Sequence, residues 1–208
     1  MDRNAARVIR GIAKPSEAVP MRQMETCHTM LFCGIPFYSI WHQIRFDNYW
    51  VEGPPPALEK HTLPTFELVA MKQQSITTRQ YSFSITHRYQ NCVQSALIIA
   101  PKAGVRLVAW SLMESVPGTI EFNGEQAHFV LITYGLAEDA PWTVTFDFEY
   151  DPKTLPQDGE EKLFDVSWVN TYWEYANKHT DDFRKLIEQF PDWAHVIPSV
   201  AVVNITAY

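Results

Sequence analysis

Glycine is scarce in this chain, with 8 among 208 residues. Loops that cradle phosphate groups need several glycines, because the backbone must approach the ligand closely. The sequence also contains no Gly-x-Ser-x-Gly element, no His-Glu-x-x-His pattern and no Cys-x-x-Cys pair. These absences argue against a nucleotide-binding loop, a serine-hydrolase elbow and a zincin-type metal helix.

Long apolar runs and a surplus of basic residues are missing as well. The longest apolar runs, 96–101 and 196–203, have the length of strands, whereas a helix needs about 20 apolar residues to cross a bilayer. The net charge of -7 and the pI near 5.5 disfavour a nucleic-acid or anionic-membrane surface. The first residues lack the apolar core of a secretory signal, and as written the chain is expected to be soluble.

Three cysteines are too few for a disulfide scaffold. Cys27 and Cys33 are close enough in sequence for one bridge to close a small loop. Cys92 would then be left over in a strand. As a nucleophile it would need a base and an orienting third group, which the sequence does not place.

What is present is ample apolar material, at 46% hydrophobic and 13% aromatic residues. This amount suits one domain with a sizeable core. Residues 1–60 show little periodicity and include Gly53-Pro54-Pro55-Pro56, which favours an extended backbone without donors. We therefore predict an irregular lead-in over 1–60 that packs on a domain formed by 61–208.

Runs rich in β-branched and aromatic residues dominate the chain after residue 65. Polar and apolar residues alternate most clearly over 81–86 and 143–150, and Asn123-Gly124 is a strong hairpin signal. We predict strands at 66–74, 80–89, 93–99, 105–113, 128–134, 143–150, 164–175 and 200–207. The fold class predicted is mostly β, an antiparallel sandwich or jelly roll.

A single helix is predicted near the end of the domain. Thr180 can cap it, and Asp181 and Asp182 suit its positive N-terminal end. Apolar residues then recur at helical spacing until Pro191, at Phe183, Leu186, Ile187 and Phe190.

Candidate catalytic residues are few. The seven histidines do not pair at metal-ligand spacing, and His87 and His128 on predicted strands are more typical of core or edge positions than of ligands. Asp147 and Glu149 share a strand face with two threonines, so solvent exposure explains these acids better than a catalytic pair does. No catalytic, cofactor-binding or metal-binding residue is predicted.

Aromatic residues crowd one predicted strand, at Trp168, Tyr172, Trp173 and Tyr175. Exposed aromatic rings on a sandwich can stack on sugars or capture peptide side chains. Trp168 and Tyr172 are four apart and share a face, which core packing would also produce. The core alternative is favoured, and the four residues stay candidate binding aromatics.

Three segments carry a resemblance to a known family. They are Leu-Phe-Cys-Gly-Ile-Pro-Phe-Tyr at 31–38, Asn48-Tyr49-Trp50 with the prolines that follow, and Phe190-Pro191-Asp192-Trp193 with a final apolar strand. The chain resembles, over nearly its whole length, the C-terminal domain of endoplasmic reticulum metallopeptidase 1 and its relatives.

The resemblance implies a fragment, a truncated gene model or a cleaved tail of a longer membrane-bound peptidase. Those proteins join an aminopeptidase-type zinc peptidase domain and a multispanning membrane region to a β-rich C-terminal domain thought to lie in the lumen. The family's zinc ligands, catalytic acid and membrane helices match no position here. We therefore expect a non-catalytic accessory domain that packs on the peptidase and membrane parts or presents partners to them. The alternative is a stand-alone carbohydrate- or peptide-binding module, and an enzyme ranks third.

Two modifications are expected in a lumenal setting. The resemblance, together with the short spacing, leads us to predict a Cys27–Cys33 disulfide. Asn204-Ile205-Thr206 is the one glycosylation sequon in the sequence. Alternation predicts that Asn204 is exposed and that Val203 and Ile205 face the core on the other side of the strand.

Overall fold

The computed structural model describes residues 19–20, 49–50, 64–86, 92–122, 125–133, 141–153, 162–172, 180–193 and 200–208. Two short strands, β1 (Val19–Pro20) and β2 (Tyr49–Trp50), pair antiparallel. The other residues of 1–60, Cys27 and Cys33 among them, lie outside the described residues. The lead-in, its boundary at residue 60 and the disulfide stay predictions.

Nine further strands form two antiparallel sheets. One is five-stranded in the order β11-β10-β5-β8-β7, and the other is four-stranded in the order β3-β4-β9-β6. The strands are β3 (Thr65–Gln73), β4 (Thr78–Thr86), β5 (Cys92–Pro101), β6 (Val105–Trp110), β7 (Ile120–Phe122), β8 (Glu125–Thr133), β9 (Trp142–Tyr150), β10 (Phe164–Tyr172) and β11 (Val200–Ala207). The mostly β, antiparallel sandwich predicted from the sequence is confirmed.

Each predicted strand has a counterpart, with shifts at the ends. The strand predicted to reach Met113 ends at Trp110, and the strand predicted from His128 begins at Glu125. Strand β7 was not predicted, because three residues are too few for a periodic signal. Its last residue, Phe122, lies opposite Glu125 in an antiparallel pair, and the predicted turn residues Asn123 and Gly124 lie outside the described residues.

Aromatic side chains fill the space between the two sheets. The alternating sequences of β4 and β9 turn Tyr81, Phe83, Phe146 and Phe148 inward, and all four are buried. Phe164 of β10 stacks on Phe148 with ring centroids 4.0 Å apart, and it meets Tyr81 edge-on at 4.9 Å. Phe164 thus connects the five-stranded sheet to two neighbouring strands of the other sheet.

The five-stranded sheet is also buried on its other face, near its centre. Val169 of β10 and Ile98 of β5 belong to a second apolar cluster with three alanines. Antiparallel register places Ala96 opposite Val169 and Leu97 opposite Trp168, so the two clusters lie on opposite faces. Strand β10 is therefore a strand buried on both sides, which is why its sequence does not alternate.

The predicted helix is present as α1 (Asp181–Ile187). Its first backbone bond runs from the Arg184 N–H to the Thr180 carbonyl over 3.0 Å. Asp181 in the first turn lies 3.4 Å from Arg184, and Asp182 lies 3.6 Å from Lys185. These exposed pairs add little stability, typically below about 1 kcal/mol each.

Candidate functional site

The candidate binding aromatics divide into two groups. Trp168 and Tyr172 are 3% and 1% exposed, so neither ring has a face for a sugar or peptide. Trp168 stacks on Phe66 with centroids 5.4 Å apart, and its Nε1 donates to the Pro64 carbonyl over 3.4 Å. These two residues belong to the core, whereas Trp173 and Tyr175 lie outside the described residues.

The acids on β9 form surface pairs with neighbouring strands. Asp147 accepts a hydrogen bond from Gln80 Nε2 over 2.7 Å, and Glu149 forms an ion pair with Arg106. Both acids lie on the side of the sheet opposite to buried Phe146 and Phe148. The interpretation as solvent-facing acids therefore agrees with the structure.

Asn204 is exposed on β11, but on the face opposite to the one predicted. It lies directly across from Trp168, and cross-strand partners project from the same face of a sheet. Asn204 is thus on the face that turns toward the other sheet, while Val203 and Ile205 lie on the outer face. Glycosylation of Asn204 stays a prediction.

A cleft of about 630 Å³ opens at one end of the sandwich. We call it the end cleft. Ala100, Leu107 and His128 are its buried members. The remaining lining residues are Pro101, Lys102, Ala103, Val105, Arg106, Pro117, Gly118, Thr119, Gln126 and Asp165.

The charged side chains that line the end cleft are Lys102, Arg106 and Asp165, and each forms an ion pair. Lys102 forms an ion pair with Asp165, and Arg106 pairs with Glu149, which does not line the cleft. The charges therefore cancel, since Lys102 is balanced by Asp165 and Arg106 by Glu149. Exposed pairs of this kind contribute little stability.

His128 lies among the buried residues of the cleft. Its Nδ1 is 2.9 Å from the Pro117 carbonyl oxygen, and a carbonyl can only accept. The proton of the neutral ring therefore sits on Nδ1, and Nε2 is left as an acceptor. Burial lowers the pKa of His128 below its ordinary value of 6.5, against the raising effect of the Pro117 bond. The ring is thus neutral near pH 7.

A second exposed feature is apolar. Leu68, Val69, Met71 and Ile76 are 41%, 55%, 59% and 83% exposed, on β3 and the turn that follows it. We call these four residues the β3 patch. Large apolar side chains exposed along an edge strand and its turn form a candidate contact surface.

The described residues do not fit a metal centre. Among them, no group of three or more His, Cys, Asp or Glu side chains could hold a metal ion. His128 is the described histidine, and the other six lie in parts of the chain that the structure does not describe. No described helix is long and apolar enough to cross a membrane.

Comparison with known proteins assigns the family. The sequence model described as "Endoplasmic reticulum metallopeptidase 1, C-terminal domain" matches residues 1–205. The chain belongs to this family. It is similar to endoplasmic reticulum metallopeptidase 1 of Rattus norvegicus, with 24% identity over 162 residues. That match covers 78% of this chain and 16% of the relative. No solved structure matches.

Proposed function

We propose that this chain is a non-catalytic accessory domain on the lumenal side of the endoplasmic reticulum, packing on the peptidase or membrane part of a larger protein. The observation that carries the proposal is the match over 1–205 to a domain defined as C-terminal in a metallopeptidase. The rat relative extends far beyond the matched part, since the match covers 16% of its length. A domain in that position has a large covalent neighbour to contact.

The β3 patch is the surface proposed for that contact. Val69 and Met71 are more than half exposed on β3. The strand that pairs with β3, β4, contributes buried side chains to the core. Transfer of such side chains from water into an interface is favourable by about 1 kcal/mol or more each. β3 is also an edge strand of the four-stranded sheet, and an edge strand can contact another chain along its open side.

A double substitution tests this contact. In the full-length parent protein with this domain, Leu68→Ser/Met71→Ser should weaken retention of the domain after a protease cut in the linker. The expected loss is about tenfold in apparent affinity, since two apolar contacts disappear. The readout is co-purification of the domain with the peptidase and membrane part.

A matched control is available at the opposite edge of the same sheet, on β6 and in the segment that follows it. Val108 and Met113 are 40% and 55% exposed, so Val108→Ser/Met113→Ser removes similar groups elsewhere. This control should leave retention unchanged. Equal retention in both variants, or equal loss in both, would contradict a contact through the β3 patch.

The non-catalytic part of the proposal has a separate test. The isolated chain should contain no stoichiometric zinc and should release no amino acids from peptides, because zinc hydrolysis needs about three protein ligands around one open position. The measurements are metal analysis and a peptide-hydrolysis assay with and without a chelator. Tightly bound zinc together with chelator-sensitive hydrolysis would overturn it.

A further inference from the structure

We propose that two copies of this chain pair through the open edge of β11, in antiparallel orientation about a twofold axis at Asn204. The pairing joins the five-stranded sheets of the two copies into one continuous sheet. The proposal does not rest on the accessory role, because it uses β11 and not the β3 patch.

Among the edge strands of the two sheets, β11 is the one without protection against strand pairing. Edge strands are normally protected by charged side chains, by bulges or by a very short length. β3 carries Glu67, Lys72 and a bulge, β6 carries Arg106 and a bulge, and β7 has three residues. These features hinder backbone pairing without covering the side chains of the β3 patch. β11 has eight residues, none of them charged or proline, and its register with β10 has no bulge.

The backbone groups on the open side of β11 follow from its pairing with β10. The Tyr208 N–H donates to the Phe164 carbonyl over 2.9 Å, and the Phe164 N–H donates to the Tyr208 carbonyl over 3.0 Å. Such exchanging pairs alternate along an antiparallel ladder, so the even-numbered residues of β11 bond to β10. The N–H and C=O groups on the open side belong to Ala201, Val203, Ile205 and Ala207.

A twofold axis at Asn204 gives all these groups a partner. Val203 then lies opposite Ile205 of the second copy, and Ala201 lies opposite Ala207 of the second copy. Each such pair exchanges two hydrogen bonds, so the interface has about eight backbone hydrogen bonds. Moving the axis by one residue in either direction leaves one outward residue of each copy without a partner in β11. The axis at Asn204 is therefore the favoured register.

The side chains of β11 are self-complementary in this register. Val203 and Ile205 are 41% and 39% exposed on the outer face, and pairing sets one against the other across the two copies. Asn204 is exposed and lies opposite Asn204 of the second copy, where each amide can both donate and accept. No like charges meet, because β11 has no charged residue. The pairing uses the same edge in both copies, so it closes at two chains.

The position of Asn204 on the axis connects the pairing to the predicted glycan. Two glycans at the axis would compete for the same space, so a chain with a glycan on Asn204 should stay single. The pairing therefore belongs to the chain without this modification. The test uses the full chain made in a host that adds no N-linked glycans.

Sedimentation of the full chain measures the pairing. The mass should rise from 24.0 kDa to twice that value as the concentration approaches about 100 μM. Val203→Pro removes an outward N–H without removing a bond to β10, and it should weaken pairing at least tenfold. Val203→Lys should weaken pairing to a similar extent, because it sets a charge against Ile205 of the second copy. Val108→Lys is the matched control, since Val108 is 40% exposed on β6, and it should pair as the wild type does.

Cross-linking tests the position of the axis. In this register Asn204 and its counterpart form a non-hydrogen-bonded pair with Cα atoms about 4.5 Å apart, which is within reach of a disulfide. Under mild oxidation, Asn204→Cys should therefore form a covalent dimer. Ala207→Cys is the control, because the two copies of residue 207 lie about 20 Å apart along the strands. It should cross-link no more than the wild-type chain, which supplies the background from the native cysteines.

Three results would overturn the proposal. The first is a single mass at every concentration, which would leave the edge of β11 to a strand of another protein. The second is a mass that grows beyond two chains without limit, or pairing by Val203→Lys as strong as that of Val108→Lys. The third is equal cross-linking of Ala207→Cys and Asn204→Cys.

Discussion

Phe164 is the core residue whose substitution should destabilise the fold most. It is fully buried and its ring contacts Tyr81, Phe83, Phe148 and Tyr208. Phe164→Ala should lower the free energy of unfolding by about 3–5 kcal/mol, through lost transfer energy and an unfilled cavity. Urea denaturation measures this. Trp193→Ala is the control, since Trp193 is 65% exposed, and it should stay within about 0.5 kcal/mol.

His128 should make stability depend on pH. Its pKa in the folded chain is below 6.5 because of burial, so below pH 6.5 the unfolded chain binds more protons than the folded one. Stability is therefore full above pH 6.5 and falls as the pH drops toward the lower folded pKa. His128→Gln should lose less stability than the wild type between pH 7.5 and 5.5. Denaturation at both pH values measures the two losses, and identical losses would contradict this assignment.

The residues of the end cleft could not be found from the sequence. His128 was interpreted as a core or edge histidine, and its burial agrees with that. Its partner Pro117, however, belongs to a connection without periodic structure. Lys102, Arg106 and Asp165 line one cleft because β5 ends, and β6 and β10 begin, at the same end of the sandwich. Nothing in their local sequence marks that meeting point.

At the scale of elements, alternation predicted strands well but not always their orientation. Strands β4 and β9 have one buried face, and their alternating sequences identified it correctly. On β11, Val203 and Ile205 were predicted to face the core. They lie on the outer face instead, because the five-stranded sheet has apolar residues on both sides. Alternation separates the two faces of a strand without saying which faces inward.

Asn204 is predicted to carry a glycan when the domain is in the lumen. The side chains of Asn204 and Thr206 are both exposed, so the sequon is accessible although it shares a face with Trp168. Expression behind a signal peptide, followed by enzymatic deglycosylation, should shift the mass of the wild type. Asn204→Gln should show no shift. The absence of a shift in both proteins would reject the prediction.

At the scale of the whole molecule, the lead-in can be tested against the second apolar cluster. Ile98 and Val169 are buried on the outer face of the five-stranded sheet, and 1–60 was predicted to pack on the domain. Removal of residues 1–60 should therefore expose apolar surface, raise binding of the dye ANS and lower the melting temperature. Equal dye binding and melting in the truncated and complete chains would exclude that packing. If the chain without residues 1–60 does not fold, its melting curve will show no cooperative transition, which also supports packing of the lead-in on the domain.

The strand order has a consequence for how the protein is made. The chain changes sheet between β4 and β5, β5 and β6, β6 and β7, β8 and β9, and β9 and β10. Phe164, which joins the two layers, is the first residue of the tenth strand. While the ribosome has released the chain only as far as β9, the rings of Tyr81, Phe83 and Phe148 have no partner from β10. The nascent chain must keep its aromatic residues from aggregating until nearly all of it has emerged, and a chaperone has that whole interval in which to bind.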